Sequence, residues 1–139
     1  MAKNNGKSAE EAFEVYWARI GHVERMPDMR DLVGLNGGRK LKDFPKPCDF
    51  LVSAPGVPLH MAEVKSTNHT SRFPFADIRP KQSSTALLSA KRGDKGYKFY
   101  IFSFYLSQWF VMTAVDYAEC VSLGARSISF SDLTPWSVT

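Results

Sequence analysis

Apolar positions recur at helical spacing near the start of the chain: Ala9, Phe13, Tyr16, Trp17 and Ile20 fall three or four residues apart. This pattern predicts a helix that opens at Ser8 as N-cap and is ended by Gly21, with residues 1–5 frayed ahead of it. A short strand is expected at Val23–Met26. Two apolar runs follow, one headed by Asp49 and one leading to Lys65, with a proline- and glycine-containing turn at Pro55–Pro58 between them. They read as a hairpin. Ser66–Ser71 reads as a polar loop. Pro80 suits a first helical turn, so a second helix is expected from there to Lys91 or Arg92, closed by Gly93. On it Gln82, Ala86 and Ser89 form a small-polar stripe, and Leu87 and Leu88 supply the packing side. Residues 97–104 and 108–114 are dense in aromatic and β-branched side chains and predict two core strands. A short helix at Asp116–Cys120 and a further element around Phe130–Leu133 complete the chain. The order α, three β, α, two β and a small helical end describes an α/β domain with a mixed central sheet.

Alternation in the hairpin changes the picture from fold to chemistry. Successive strand side chains face opposite ways, so Glu63 and Lys65 share one face while His60, Ala62 and Val64 take the other. Pairing the strands with Asp49 opposite Glu63 brings two carboxylates and an ammonium into one small volume. Such charges are costly at a sheet unless they pair or coordinate something, and a divalent cation is the economical explanation. The competing explanation is a surface ion cluster on a hairpin. The first helix offers another carboxylate. At about 100° per residue, Glu10 lies at the edge of the apolar stripe, Glu11 points nearly away from it, and Glu14 is well off it. Glu10 is therefore the helix acid expected to reach the sheet, unless all three merely solubilise the helix.

Composition bounds the remaining possibilities. A chain of 139 residues with 44% hydrophobic and 13% aromatic residues is expected to fold as one domain. No apolar run is long enough to span a membrane, the polar start does not read as a signal peptide, and two cysteines make no disulfide framework, so a reducing cytoplasm is expected. The net charge of +4 favours an anionic partner weakly. Its distribution says more. Arg30, Arg39, Lys40, Lys42 and Lys46 are interleaved with Gly34, Gly37 and Gly38 in the irregular stretch 26–47, which either follows a phosphate backbone or is a solvated loop. A second basic segment carries Arg79, Lys81, Lys91, Arg92, Lys95 and Lys98 against Asp94 alone.

Several motifs fail. Gly6-Lys7-Ser8 lacks the leading glycine and the preceding strand of a P-loop. The sequon Asn68-His69-Thr70 has no bearing without secretion. His22, His60 and His69 lack zinc-ligand spacing, and no histidine–acid arrangement accompanies a serine or cysteine nucleophile.

Three segments in order carry a family resemblance: Gly6 to Glu10, then Asp49 with Ala62-Glu63-Val64-Lys65-Ser66-Thr67, then Ser71 to Leu87 around Gln82. Together they resemble the RecU-type Holliday-junction resolvases of the PD-(D/E)xK nuclease superfamily, and more distantly the archaeal Hjc resolvases. The resemblance implies a restriction-endonuclease-like core and metal-dependent cleavage of four-way DNA by a homodimer, in the cytoplasm of a bacterial or phage-infected cell. It implies that Asp49, Glu63 and the main-chain carbonyl of Val64 bind Mg²⁺ or Mn²⁺, with Glu10 completing the acidic cluster. Lys65 would orient or help deprotonate the attacking water, and Gln82 would support the site. Arg72, Arg79 and Lys81 join the basic residues of 26–47 as expected DNA contacts. The family usually has histidine where Lys81 stands, Cys48 intervenes before Asp49, and 26–47 is shorter than the family's stalk. A less selective endonuclease of the same superfamily, and a junction-binding protein that does not cut, stand as the alternatives.

Overall fold

Val57–Thr67 (β3) is the longest strand of the computed structural model, which describes residues 5–27, 48–93 and 96–137. Around it lie α1 (Asn5–Ile20), β1 (His22–Arg25), β2 (Phe50–Ala54), β4 (Arg72–Pro74) and α2 (Pro80–Lys91). Then come β5 (Tyr97–Ser103), β6 (Gln108–Thr113), α3 (Ala114–Ser122), β7 (Ser127–Ser129) and β8 (Thr134–Trp136). Single 3₁₀ turns occupy Phe75–Asp77 and Phe130–Asp132. Six strands form one mixed sheet in the order β1-β2-β3-β5-β6-β8, and β4 pairs with β7 in a separate ribbon. Among the described residues only β3 and β5 run parallel within the larger sheet; its other described neighbours are antiparallel. The chain is thus α/β with a mixed sheet, as its pattern predicts.

Each face of the sheet is covered. On one, α1 sets Ala9, Phe13 and Trp17 against Phe50, Val52, Ala62, Val64 and Tyr100. Phe13 is central: its ring lies 5.2 Å from Phe50, 4.9 Å from Tyr100 and 5.7 Å from Trp136. Aromatic pairs at these separations each add about 0.5–1.5 kcal/mol beyond the area they bury. On the other face, α2 and α3 cover Tyr97, Phe99, Ile101, Phe110 and Met112. His60 belongs to the α1 core, where its Nε2 lies 2.8 Å from the Tyr100 hydroxyl and its Nδ1 2.9 Å from the Pro58 carbonyl oxygen. Burial lowers its pKa, which keeps the ring neutral.

Several boundaries differ from the sequence expectation. The helix α1 starts at Asn5, so Ser8 is inside it and not its cap; a cap preference of about 1 kcal/mol is easily overridden. The strand β3 runs on to Thr67 through the first two residues of the expected polar loop, because Thr67 pairs with Ser103 of β5. The element order gains β4 before α2 and β7 and β8 after α3. On α2 the expectation holds in part: Leu87 packs against the core, but Leu88 is 48% exposed and it is Ala86 and Ser89 that are buried. The small stripe lets α2 lie close to its neighbours, and a leucine there would hold it off. Residues 1–4 and the stretch 28–47, with its expected reduced stalk, lie outside the described residues. Among the described residues no helix is long and apolar enough to cross a membrane.

The hairpin follows from its turn. Ala54 pairs with Val57, which leaves Pro55-Gly56 as the loop, and Gly56 takes φ +79° as a type II turn requires. Gly21 serves a different purpose. It takes no left-handed conformation, yet a Cβ there would collide with the Ser53 carbonyl oxygen and stand 2.7 Å from the Ala54 Cβ. Its lack of a side chain lets the end of α1 cross β2. We expect Gly21→Ala to destabilise the fold by about 1–3 kcal/mol. Gly6→Ala, whose Cβ meets nothing within 4 Å inside α1, should be neutral or stabilising by up to about 1 kcal/mol. Paired urea unfolding curves check both.

Candidate metal-dependent active site

The site forms where β2 ends and β3 does not. Phe50 pairs with Ala62, and the Asp49 amide still donates to the Ala62 carbonyl at 3.1 Å. Beyond that point the ladder stops, and the Asp49 carboxylate takes the strand's place: Val64 N–H donates to Asp49 Oδ2 at 2.8 Å. This register puts Asp49 opposite Glu63, as the hairpin reading requires. Within a strand the amide and carbonyl of one residue point to the same side, so the Val64 carbonyl faces the gap that Asp49 borders.

Glu63 and Lys65 point from β3 to the α2 side. Glu63 is 3% exposed and Asp49 7%. Burial, the negative charge of Asp49 and a side-chain hydrogen bond with it push the Glu63 carboxyl up to about 9, against a weaker opposing pull from Lys65. The pair therefore holds a proton at neutral pH: two carboxyls this close in a dry setting do not both ionise. Lys65 Nζ is 3.8 Å from Glu63 Oε2 and is fixed by donating to the Asp77 carbonyl at 3.0 Å and to Gln82 Oε1 at 2.8 Å.

Gln82 joins these parts. Its Nε2 donates to Glu63 Oε2 at 2.7 Å, while its Oε1 accepts from Lys65 and, at 2.9 Å, from the Arg79 amide that opens α2. The Asp77 carbonyl is supplied by the 3₁₀ turn before α2. A polar cavity of about 280 Å³ adjoins these groups, lined by Gly6, Ser66, Asn68, His69, Asp77 and Phe104.

Of the helix acids, Glu10 is on the site side: its negative charge is among those that raise the Glu63 pKa, whereas Glu11 opens onto the far surface of α1. Glu10 Oε1 accepts from Arg25 at 3.1 Å, and the same guanidinium binds Glu14 at 3.0 Å and covers the Phe50 ring at 4.7 Å. Sequence reasoning missed Arg25. Nothing in its spacing marks it; only the pairing of β1 beside β2 brings it under α1. The Asp77 carbonyl, a backbone group, has no sequence signal either.

Among the expected DNA contacts, Arg79 and Lys81 are exposed at the start of α2, beside the site. Arg72 is exposed but engaged, its Nε donating to Ser127 Oγ at 2.7 Å across the β4–β7 ribbon. Arg30, Arg39, Lys40, Lys42 and Lys46 lie outside the described residues. Cys48 is not in a strand, and its side chain packs into the α2-side core. Burial first, then the nearby carboxylates, push its thiol up to about 12, so it does not supply a thiolate.

Among the described residues no three His, Cys, Asp or Glu side chains form a ready-made metal cage. The donor set nevertheless suits a hard cation that keeps several waters: two carboxylates and a main-chain carbonyl, all oxygen. Comparison with models of protein families finds no match, and comparison with curated proteins finds none.

The Glu63 shift has a sign that can be checked. Its folded pKa, about 9, lies above the ordinary 4.5, so between these values the folded protein keeps a proton that the unfolded chain has lost. Stability from this group therefore falls as pH rises through that window. In metal-free protein, Glu63→Gln should raise the melting temperature at pH 8, by roughly 2–8 °C for each kcal/mol relieved. At pH 4 the two proteins should melt much more nearly together. Calorimetric scans across the pH range check this.

Proposed function

We propose that this protein is a metal-dependent endodeoxyribonuclease that resolves four-way DNA junctions by paired phosphodiester hydrolysis, working as a homodimer on a PD-(D/E)xK core. The observation that carries the reading is the buried Asp49–Glu63 pair beside a lysine that Gln82 holds in place. A surface ion cluster would leave these groups solvated and mobile; here they are buried and cross-bonded. The ordered likeness of three segments to RecU-type resolvases supports the junction as substrate, and a two-fold dimer suits a branched substrate that needs two symmetric nicks.

Asp49, Glu63 and the Val64 carbonyl would hold Mg²⁺ or Mn²⁺, with Glu10 joining directly or through water. The bound cation would supply a water of lowered pKa and neutralise charge gathering on the phosphate. Lys65 Nζ, held beside Glu63 and Gln82, would orient the attacking water and meet the non-bridging phosphate oxygens. Gln82 fixes that ammonium against Glu63. Arg79 and Lys81 offer exposed charge to the backbone of the bound strand, and the polar cavity beyond Asp77 gives that strand a path past the end of β3. Arg30, Arg39, Lys40, Lys42 and Lys46 would add five further positive charges for the DNA backbone.

A labelled four-way junction and a linear duplex of the same sequence, each incubated with and without Mg²⁺, test the proposal. Paired symmetric nicks confined to the junction and dependent on the cation are expected. Equal cutting of the duplex would replace it with a less selective nuclease. Junction binding without cleavage in the presence of Mg²⁺ would make the protein a binder. Lys65→Ala should lower cleavage by roughly 10²–10³-fold while junction binding survives. Gln82→Ala should lower it by roughly 10–100-fold, as expected for a group that positions another.

A further inference from the structure

The outer surface of α1 carries a feature that the site does not use. Glu11, Val15 and Arg19 are spaced four residues apart and so share one helix face. All three are exposed, Val15 to 62%. With Tyr16 and Trp109 they line a shallow groove of about 410 Å³ between the helix and β6. Ala12, also in the groove, is small enough to let another helix come near. The face is thus acidic at one end, apolar in the middle and basic at the other.

We propose that this face is the interface between two copies of the chain, joined through α1 in an antiparallel helix pair. The charge pattern selects that occupant. Val15 lies midway between Glu11 and Arg19, which are separated by about 12 Å along the axis. A two-fold axis at Val15 therefore sets Glu11 across from Arg19 of the partner subunit, and Arg19 across from Glu11 of the partner subunit. An isologous contact needs such a self-complementary face. A parallel pair would instead align like charges. Val15 meets its own copy at the axis, and the Tyr16 and Trp109 edges widen the apolar strip. The homodimer is already part of the nuclease reading, on which this face rests for its second copy; the test reads mass and not cleavage, so the interface can fail while the nuclease chemistry stands.

Sedimentation equilibrium of the full chain over a range of concentrations should give a dimer that dissociates on dilution. Glu11→Arg alone and Arg19→Glu alone each place like charges opposite one another twice, and each should weaken self-association roughly tenfold or more. Because both side chains are solvent-exposed, circular dichroism should show both variants folded. The double variant E11R/R19E restores opposite charges across the axis and should recover most of the lost association. A monomer at every concentration would leave the face to a different protein and overturn the proposal. So would a dimer indifferent to both reversals, or one that the double variant fails to restore.

Discussion

One hydrogen bond sets the character of this molecule: the Val64 amide is satisfied by the Asp49 carboxylate and not by a strand. A buried amide must find an acceptor, and β2 gives out before β3 does, so the acceptor has to be a side chain. That substitution brings a carboxyl group into the plane of the sheet. Glu63, the residue before Val64 on β3, then has a carboxyl neighbour in a place with little water, and it keeps a proton in response. Gln82 and Lys65 arrange themselves around that oxygen. The polar cluster is therefore a consequence of where one strand stops.

What makes the arrangement tolerable is the firmness of its surroundings. In the parallel pair Glu63 lies beside Phe99 and Lys65 beside Ile101, both fully buried. The aromatic packing of Phe13 and Trp17 grips the opposite face of the same strand. A strand held from both sides does not twist to relieve its charged residues, so those residues are satisfied in place. Arg25 plays the matching part at the helix, where it draws two glutamates together and lies over Phe50.

How much of this the sequence disclosed depends on the range of the forces involved. The hairpin register, with Asp49 facing Glu63, was legible because period-two alternation and a Pro-Gly turn are local signals. The bounds of α2 were legible for the same reason: Pro80 opens it and Gly93, at φ +70°, closes it. Glu10 was separable from Glu11 by helical phase alone. Elsewhere the deciding contact is distant in sequence. Leu88 looks like a core residue until the close packing of Ala86 and Ser89 turns it outward. The strands β4, β7 and β8 have three residues each, too few to show any period. Gly21 is easily taken for a helix terminator, whereas its reason for being glycine is the backbone of Ser53, thirty-two positions on in the numbering.

Gln82 carries a consequence of its own. The same amide oxygen that receives Lys65 also receives the Arg79 backbone N–H, at the place where α2 begins. Helix initiation and lysine placement thus share a single atom. If the opening turn of α2 unravels, the ammonium loses one of its two acceptors and keeps only the Asp77 carbonyl; if the lysine is withdrawn, the helix keeps its amide partner but Gln82 is freer to turn. A half-folded chain with α2 detached would keep the Asp49–Val64 hydrogen bond and lose the Gln82 contacts to Glu63 and Lys65. The molecule thereby couples the order of its polar cluster to completion of its own architecture, a safeguard against displaying that cluster before the rest of the chain is in place.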